Sequence, residues 1–133
     1  MTDDDYLDPE VLRIMRAWPA VYGPGPWSDG NSMLRDGFLC GPGWYPLIAR
    51  LSADLAVIIG QDGLTRFRVV QVKEKFASLR FYVKGGNERI LTRIAEAMRE
   101  AETTCERCSA SACIRPVDGW LSALCDRCHA DLR

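Results

Sequence analysis

A single histidine, His129, stands in 133 residues. That scarcity speaks against metal-assisted nuclease chemistry, where several His, Asp or Asn groups gather around a second ion. A zinc deaminase needs a His-x-Glu pair ahead of its Pro-Cys-x-x-Cys, and no such pair occurs. An excess of one charge is missing too. Lys and Arg number 17 and Asp and Glu 18, for a net charge of −1. No global field then pulls the chain toward nucleic acid or a membrane, and any electrostatic preference is local. No apolar run is long enough to span a bilayer, and the opening MTDDDYLDPE is acidic rather than signal-like. These features predict a cytoplasmic protein with no membrane partner. There is no internal repeat and no low-complexity tract. A βαβ pattern, which a thioredoxin-like role for Cys-x-x-Cys would need, is absent.

What is present reads as α+β. Asp8-Pro9 is a helix start, with Asp as N-cap and Pro in the first turn. Val11, Leu12, Met15 and Trp18 then share a face, and Pro19 ends the run. Residues 19–32 are rich in Gly and Pro and predict a loop or strap, pinned by Tyr22 and Trp27, whose aromatics are also candidates for docking. "CGPGWYPLIARLSADLAVIIG" (40–60) turns tightly and enters a helix. Its apolar stripe is Trp44, Leu47, Ile48, Leu51, Leu55, Ile58 and Ile59, and Gly60 is a stop. Over 65–86 the period changes to two. Val70 and Val72, then Leu79, Phe81 and Val83, predict two antiparallel strands joined near residues 74–78. Asn87 caps a second long helix with Ile90, Leu91, Ile94, Met98 and Ala101 inward. The expected architecture is a small antiparallel sheet packed by two or three helices, over residues 1–104. A zinc-ribbon or treble-clef-like module follows at 105–133.

That module rests on Cys105, Cys108, Cys125 and Cys128, spaced C-x2-C-x16-C-x2-C. Each Cys-x-x-Cys makes a knuckle with two thiolates, and the segment between must turn back to complete a tetrahedron. Asp118-Gly119, between Val117 and Trp120, supplies a hairpin turn. Six cysteines in a reducing compartment point to metal rather than disulfides. So few apolar residues cannot make an independent core. Structural Zn2+ supplies roughly 10–16 kcal/mol in small zinc peptides, comparable with the stability of a whole domain. Four sulfurs close the shell, so the ion is structural rather than catalytic. Cys113 is an alternative ligand. His129 is an alternative ligand or lone acid/base, against the plainer reading of a solvated histidine. Cys40 reads as a buried small hydrophobe rather than a nucleophile.

Basic residues cluster at the predicted hairpin. Lys73, Lys75, Arg80 and Lys84, with Tyr82, fall on the outward face, which suits phosphates or an acidic protein surface. The competing explanations are an ordinary solvated face and lysines that guard an edge strand.

"CGPGWYPLIARL", "VVQVKEKFASLRFYV" and "CERC…GWLSALCDRC" resemble, in the same order, a family of small proteins common in bacteriophages and prophages. Its pattern is C-G-D-G-W, then Q-V-K-E-K-F-G-G-L-R-F-Y, then Cys-x-x-Cys and a hairpin ending in Cys-x-x-Cys or Cys-x-x-His. The likeness covers about residues 38–129. The variable last ligand of the family supports Cys128 as a zinc ligand. Pro42 stands where the family has Asp, and Ala77-Ser78 where it has Gly-Gly, so no catalytic role is carried over. The zinc segment alone resembles the four-cysteine finger of the DksA/TraR regulators, without their long coiled coil. The resemblance implies a phage setting in a bacterial cell and supplies no activity. The expected function is therefore a non-enzymatic accessory protein that binds a host protein or protein–nucleic-acid complex. Anti-defence action, for example anti-CRISPR-like inhibition, and transcription modulation are its concrete forms. Direct nucleic-acid binding is the alternative, and a small zinc nuclease the second alternative. No small-molecule substrate is evident.

Overall fold

The structure is a computed structural model that describes residues 7–25, 27 and 33–132. Helix α1 spans Pro9–Ala17, and the Asp8 carboxylate caps it by accepting from the Glu10 N–H at 2.8 Å. Its buried face is Val11, Ile14 and Met15. Leu12 and Trp18, expected inward, are only half-buried at the edge of the core. Pro19 does stop α1, but it also opens a one-turn helix, α2 (Pro19–Tyr22), where a strap was expected. Proline suits a first helical position because its missing N–H has no partner there anyway. Trp27 pins the following segment: it is buried and its indole N–H donates to the Tyr22 carbonyl at 2.9 Å. Tyr22 and Trp27 are therefore core residues, which removes them as docking aromatics. The rest of the predicted strap, residues 26 and 28–32, lies outside the described residues.

Strand β1 (Phe38–Leu39) leads into helix α3 (Tyr45–Asp62). The predicted stripe on α3 is buried throughout. Gly60 lies inside the helix, and Gly63, left-handed at φ 63°, ends it by donating to the Ile59 carbonyl. Strands β2 (Arg68–Lys75) and β3 (Ser78–Lys84) form the expected antiparallel hairpin. β1 adds to β2 in parallel, so the sheet is mixed, in the order β1-β2-β3. Two residues are too short a stretch to show a period in sequence. A register shift between Val69 and Gln71 puts Val69 in the core and leaves Val70, the expected core residue, half-buried.

Helix α4 (Glu88–Glu102) starts at Asn87, whose side chain accepts from the Ile90 N–H. Ile90, Ile94, Ala97 and Ala101 face the core. Leu91 was expected there too, but it sits one step around the helix and is exposed. A spacing of four, three and four residues makes a stripe too narrow to include it. Arg50 with Glu100, Arg93 with Asp54 and Arg89 with Asp62 link α3 to α4 along the outside. The chain ends in a second hairpin, β4 (Cys113–Val117) and β5 (Trp120–Leu124), and a short helix, α5 (Asp126–Ala130). Among the described residues no helix is long and apolar enough to cross a membrane.

Candidate metal centre

The first Cys-x-x-Cys follows α4 directly. Cys105 donates its N–H to the Ala110 carbonyl, and Ser109, at φ 74°, donates to the Cys105 carbonyl, so the chain closes into a tight knuckle. β4 and β5 then carry it out and back around Asp118-Gly119, both at positive φ. Cys125 is the N-cap of α5, and its sulfur accepts from the Cys128 N–H at 3.3 Å. Knuckle, hairpin and helix in this order give the treble-clef-like form of the predicted module.

Sequence positions 20 residues apart are thereby brought together. The sulfurs of Cys105, Cys108, Cys125 and Cys128 all lie within 4.8 Å of one another, and Cys108 and Cys125 are 3.6 Å apart. All six cysteines are free thiols. A tetrahedral ion with metal–sulfur bonds of about 2.3 Å sets its sulfurs about 3.8 Å apart, so the cluster is already near the required size. The protonation energetics fit the same purpose. Burial acts to raise the Cys105 thiol, but the backbone N–H groups of Cys125, Arg107 and Cys108 outweigh it and bring it down to about 6. Hydrogen bonding with Cys125, burial and the nearby sulfurs of Cys108 and Cys105 push Cys128 up to about 12. Four such thiols ionise together only when a cation offsets their charge. The group is placed to hold a metal ion.

Cys113 and His129 stand outside it. Cys113 is exposed and its sulfur accepts from the Arg115 guanidinium at 3.2 Å. His129 lies in α5, half-buried. Cys40 is half-buried, and burial, then the carboxylates of Glu106 and Glu74, push its thiol up to about 12, so it stays neutral as a small hydrophobe does.

The Cys-Gly-Pro-Gly-Trp stretch has a role that sequence reasoning missed. It is the seat of the knuckle. Gly43 N–H donates to the Glu106 carbonyl at 2.7 Å, and Gly41 N–H to the Glu106 carboxylate at 2.8 Å. The Trp44 indole donates to the Thr104 carbonyl, and the Ser109 hydroxyl to the Gly43 carbonyl. A Cβ on Gly43 would overlap the Cys105 carbonyl oxygen, and one on Gly41 the Glu106 carbonyl oxygen. Two glycines around one proline are the only sequence signal for so close an approach.

The predicted basic residues are also gathered. Register pairs Lys73 with Arg80, Gln71 with Tyr82, Lys75 with Ser78 and Arg68 with Lys84, all on the side opposite the buried Val72, Leu79 and Phe81. No carboxylate occupies an outward position of these two strands. Glu74 pairs with Leu79 on the inner side, and its carboxylate accepts from the Ala77 N–H. No family model, curated protein or solved structure matches the chain.

Proposed function

We propose that this chain is a non-enzymatic, zinc-organised binding protein of the phage type, which docks on a host protein–nucleic-acid complex through the outer face of β2 and β3. The observation that carries the proposal is the four-sulfur cluster. Soft thiolates select zinc over the oxygen-seeking magnesium and calcium. Four of them fill a tetrahedron, leaving no position for a reacting water, so the ion acts as a scaffold. Binding then falls to the surface, where Lys73, Lys75, Arg80, Lys84 and Tyr82 share one side. The phage setting follows from the resemblance of the three ordered motifs. Inhibition of a defence assembly or modulation of transcription are forms such docking would take.

The test is affinity capture from bacterial lysate, with and without nuclease treatment, using the zinc-loaded chain and a Lys73→Glu, Lys75→Glu, Arg80→Glu variant. The native chain should retain a defined complex that the variant loses while keeping its zinc and fold. Equal capture by both would move the binding surface elsewhere.

A further inference from the structure

The two hairpin ends lie beside one another. The turn between β2 and β3 holds Phe76, which is 59% exposed, and the turn between β4 and β5 is followed by Trp120, 69% exposed. A cleft of about 410 Å³ runs between them, lined by Lys73, Glu74, Lys75 and Phe76 on one side and Trp120, Leu121 and Ser122 on the other, with Glu106 of the knuckle. Its volume falls within the range of about 300–1,000 Å³ found for ligand clefts. Phe76 sits at φ 53°, a left-handed conformation disfavoured for a bulky residue, and its ring contributes little to the core. Strain and exposure thus coincide on one aromatic at the mouth of a cleft.

We infer that this cleft binds single-stranded nucleic acid, with bases stacked on Phe76 and Trp120 and phosphates on Lys73, Lys75 and Arg80, the cross-strand partner of Lys73. The inference rests on the basic-face reading above and names its ligand. Charge is arranged for this polarity. The outward positions of β2 and β3 carry cations and no carboxylate, and the Lys75 ammonium lies 5.9 Å from the Phe76 ring centre. The cleft's carboxylates, Glu74 and Glu106, are half-buried and engaged with the backbone N–H groups of Ala77 and Gly41. They repel phosphate from the interior, which leaves that space to a base while the backbone follows the exposed lysines. Exposed rings flanking a basic strip are the recurring platform for unpaired bases, because every base has a π-face. A duplex keeps its bases stacked on one another and offers only phosphates. An acidic peptide offers charge without flat rings.

Fluorescence anisotropy of a labelled oligothymidylate, about fifteen nucleotides long, tests this on the full zinc-loaded chain. A duplex of the same length and polyglutamate serve as competitors. The single strand should bind most tightly, with affinity falling as salt rises from about 50 to 200 mM. Phe76→Gly and Trp120→Ala should each weaken it about tenfold. Glycine adopts the turn conformation freely, so Phe76→Gly keeps the fold, and denaturation curves check that it does. Unchanged affinity in both variants, or equal affinity for duplex and single strand, overturns the inference. If duplex or polyglutamate binds instead, and Lys73→Glu with Lys75→Glu abolishes it, stacking is wrong and the basic face stands. If no polyanion binds at all, both fall.

Discussion

Gly43 shows how much one missing side chain can fix. Its N–H and its bare α-carbon both meet the knuckle, the first on the Glu106 carbonyl and the second against that of Cys105. Gly43→Ala should cost about 1–3 kcal/mol, since the obstacle is backbone and cannot rotate away. Chemical denaturation would measure that loss, and the rate of zinc transfer to a chelator should rise with it. Three other side chains set an alkaline limit. Burial raises Cys40 from 9.0 to about 12, Tyr45 from 10.0 to about 12, and Tyr22 further still. A folded-state pKa above the unfolded one means that the unfolded chain loses its proton first as pH rises. Stability is therefore full below pH 9 and declines from there toward pH 12. Denaturation midpoints across that window would show the decline, and a flat profile would contradict the burial of these groups.

Among the elements, the hairpins carry the least expected chemistry. Phe76 and Ala77 form the two-residue turn between β2 and β3, at φ 53° and 65°. Such turns favour Asn-Gly or Gly-Gly, and neither position here is a glycine. Ala77 takes the left-handed conformation with a Cβ, compensated in part by the Glu74 carboxylate on its N–H. Ala77→Gly should raise stability by about 1 kcal/mol, read as a higher denaturation midpoint at unchanged slope. A fall would mean that packing of the buried methyl outweighs the backbone term. The long elements were legible in the sequence because each is repetitive. α3 and α4 have caps and a helical stripe, and β2 and β3 alternate. What escaped was local and non-repetitive: the bulge that exchanges Val69 for Val70, the two-residue β1, and the single turn at Pro19. The clustering of the four cysteines was legible from spacing alone. The basic face was legible once the alternation fixed which residues point outward.

At the scale of the whole molecule, the four-cysteine cluster is not an appendage held by a thread. The knuckle takes four hydrogen bonds from or to Gly41, Gly43 and Trp44. Ala123 of β5 packs into the main core, and its carbonyl accepts from the Glu106 N–H. Removing zinc with a strong chelator should therefore loosen the start of α3 as well as the cysteine segment. Intrinsic fluorescence should change, because Trp44 is buried against the knuckle, and protease should cut within 105–133. Cys108→Ser and Cys125→Ser should reproduce both effects, with metal content falling below one ion per chain. Full metal retention by these variants would remove the four-sulfur assignment. The seat and the knuckle were both visible as motifs, but their contact spans 65 residues, and no periodicity reports a contact that long.

That span has a consequence for synthesis. The notch beside Trp44 leaves the ribosome well before Glu106, and the last two sulfurs emerge later still. The beginning of α3 is thus translated early and completed late, and the nascent chain carries an open notch until the cysteine segment has been made. A metal ion held by the four sulfurs would close that notch only once the second cysteine pair has emerged, which ties maturation of an early segment to metal capture by a later one.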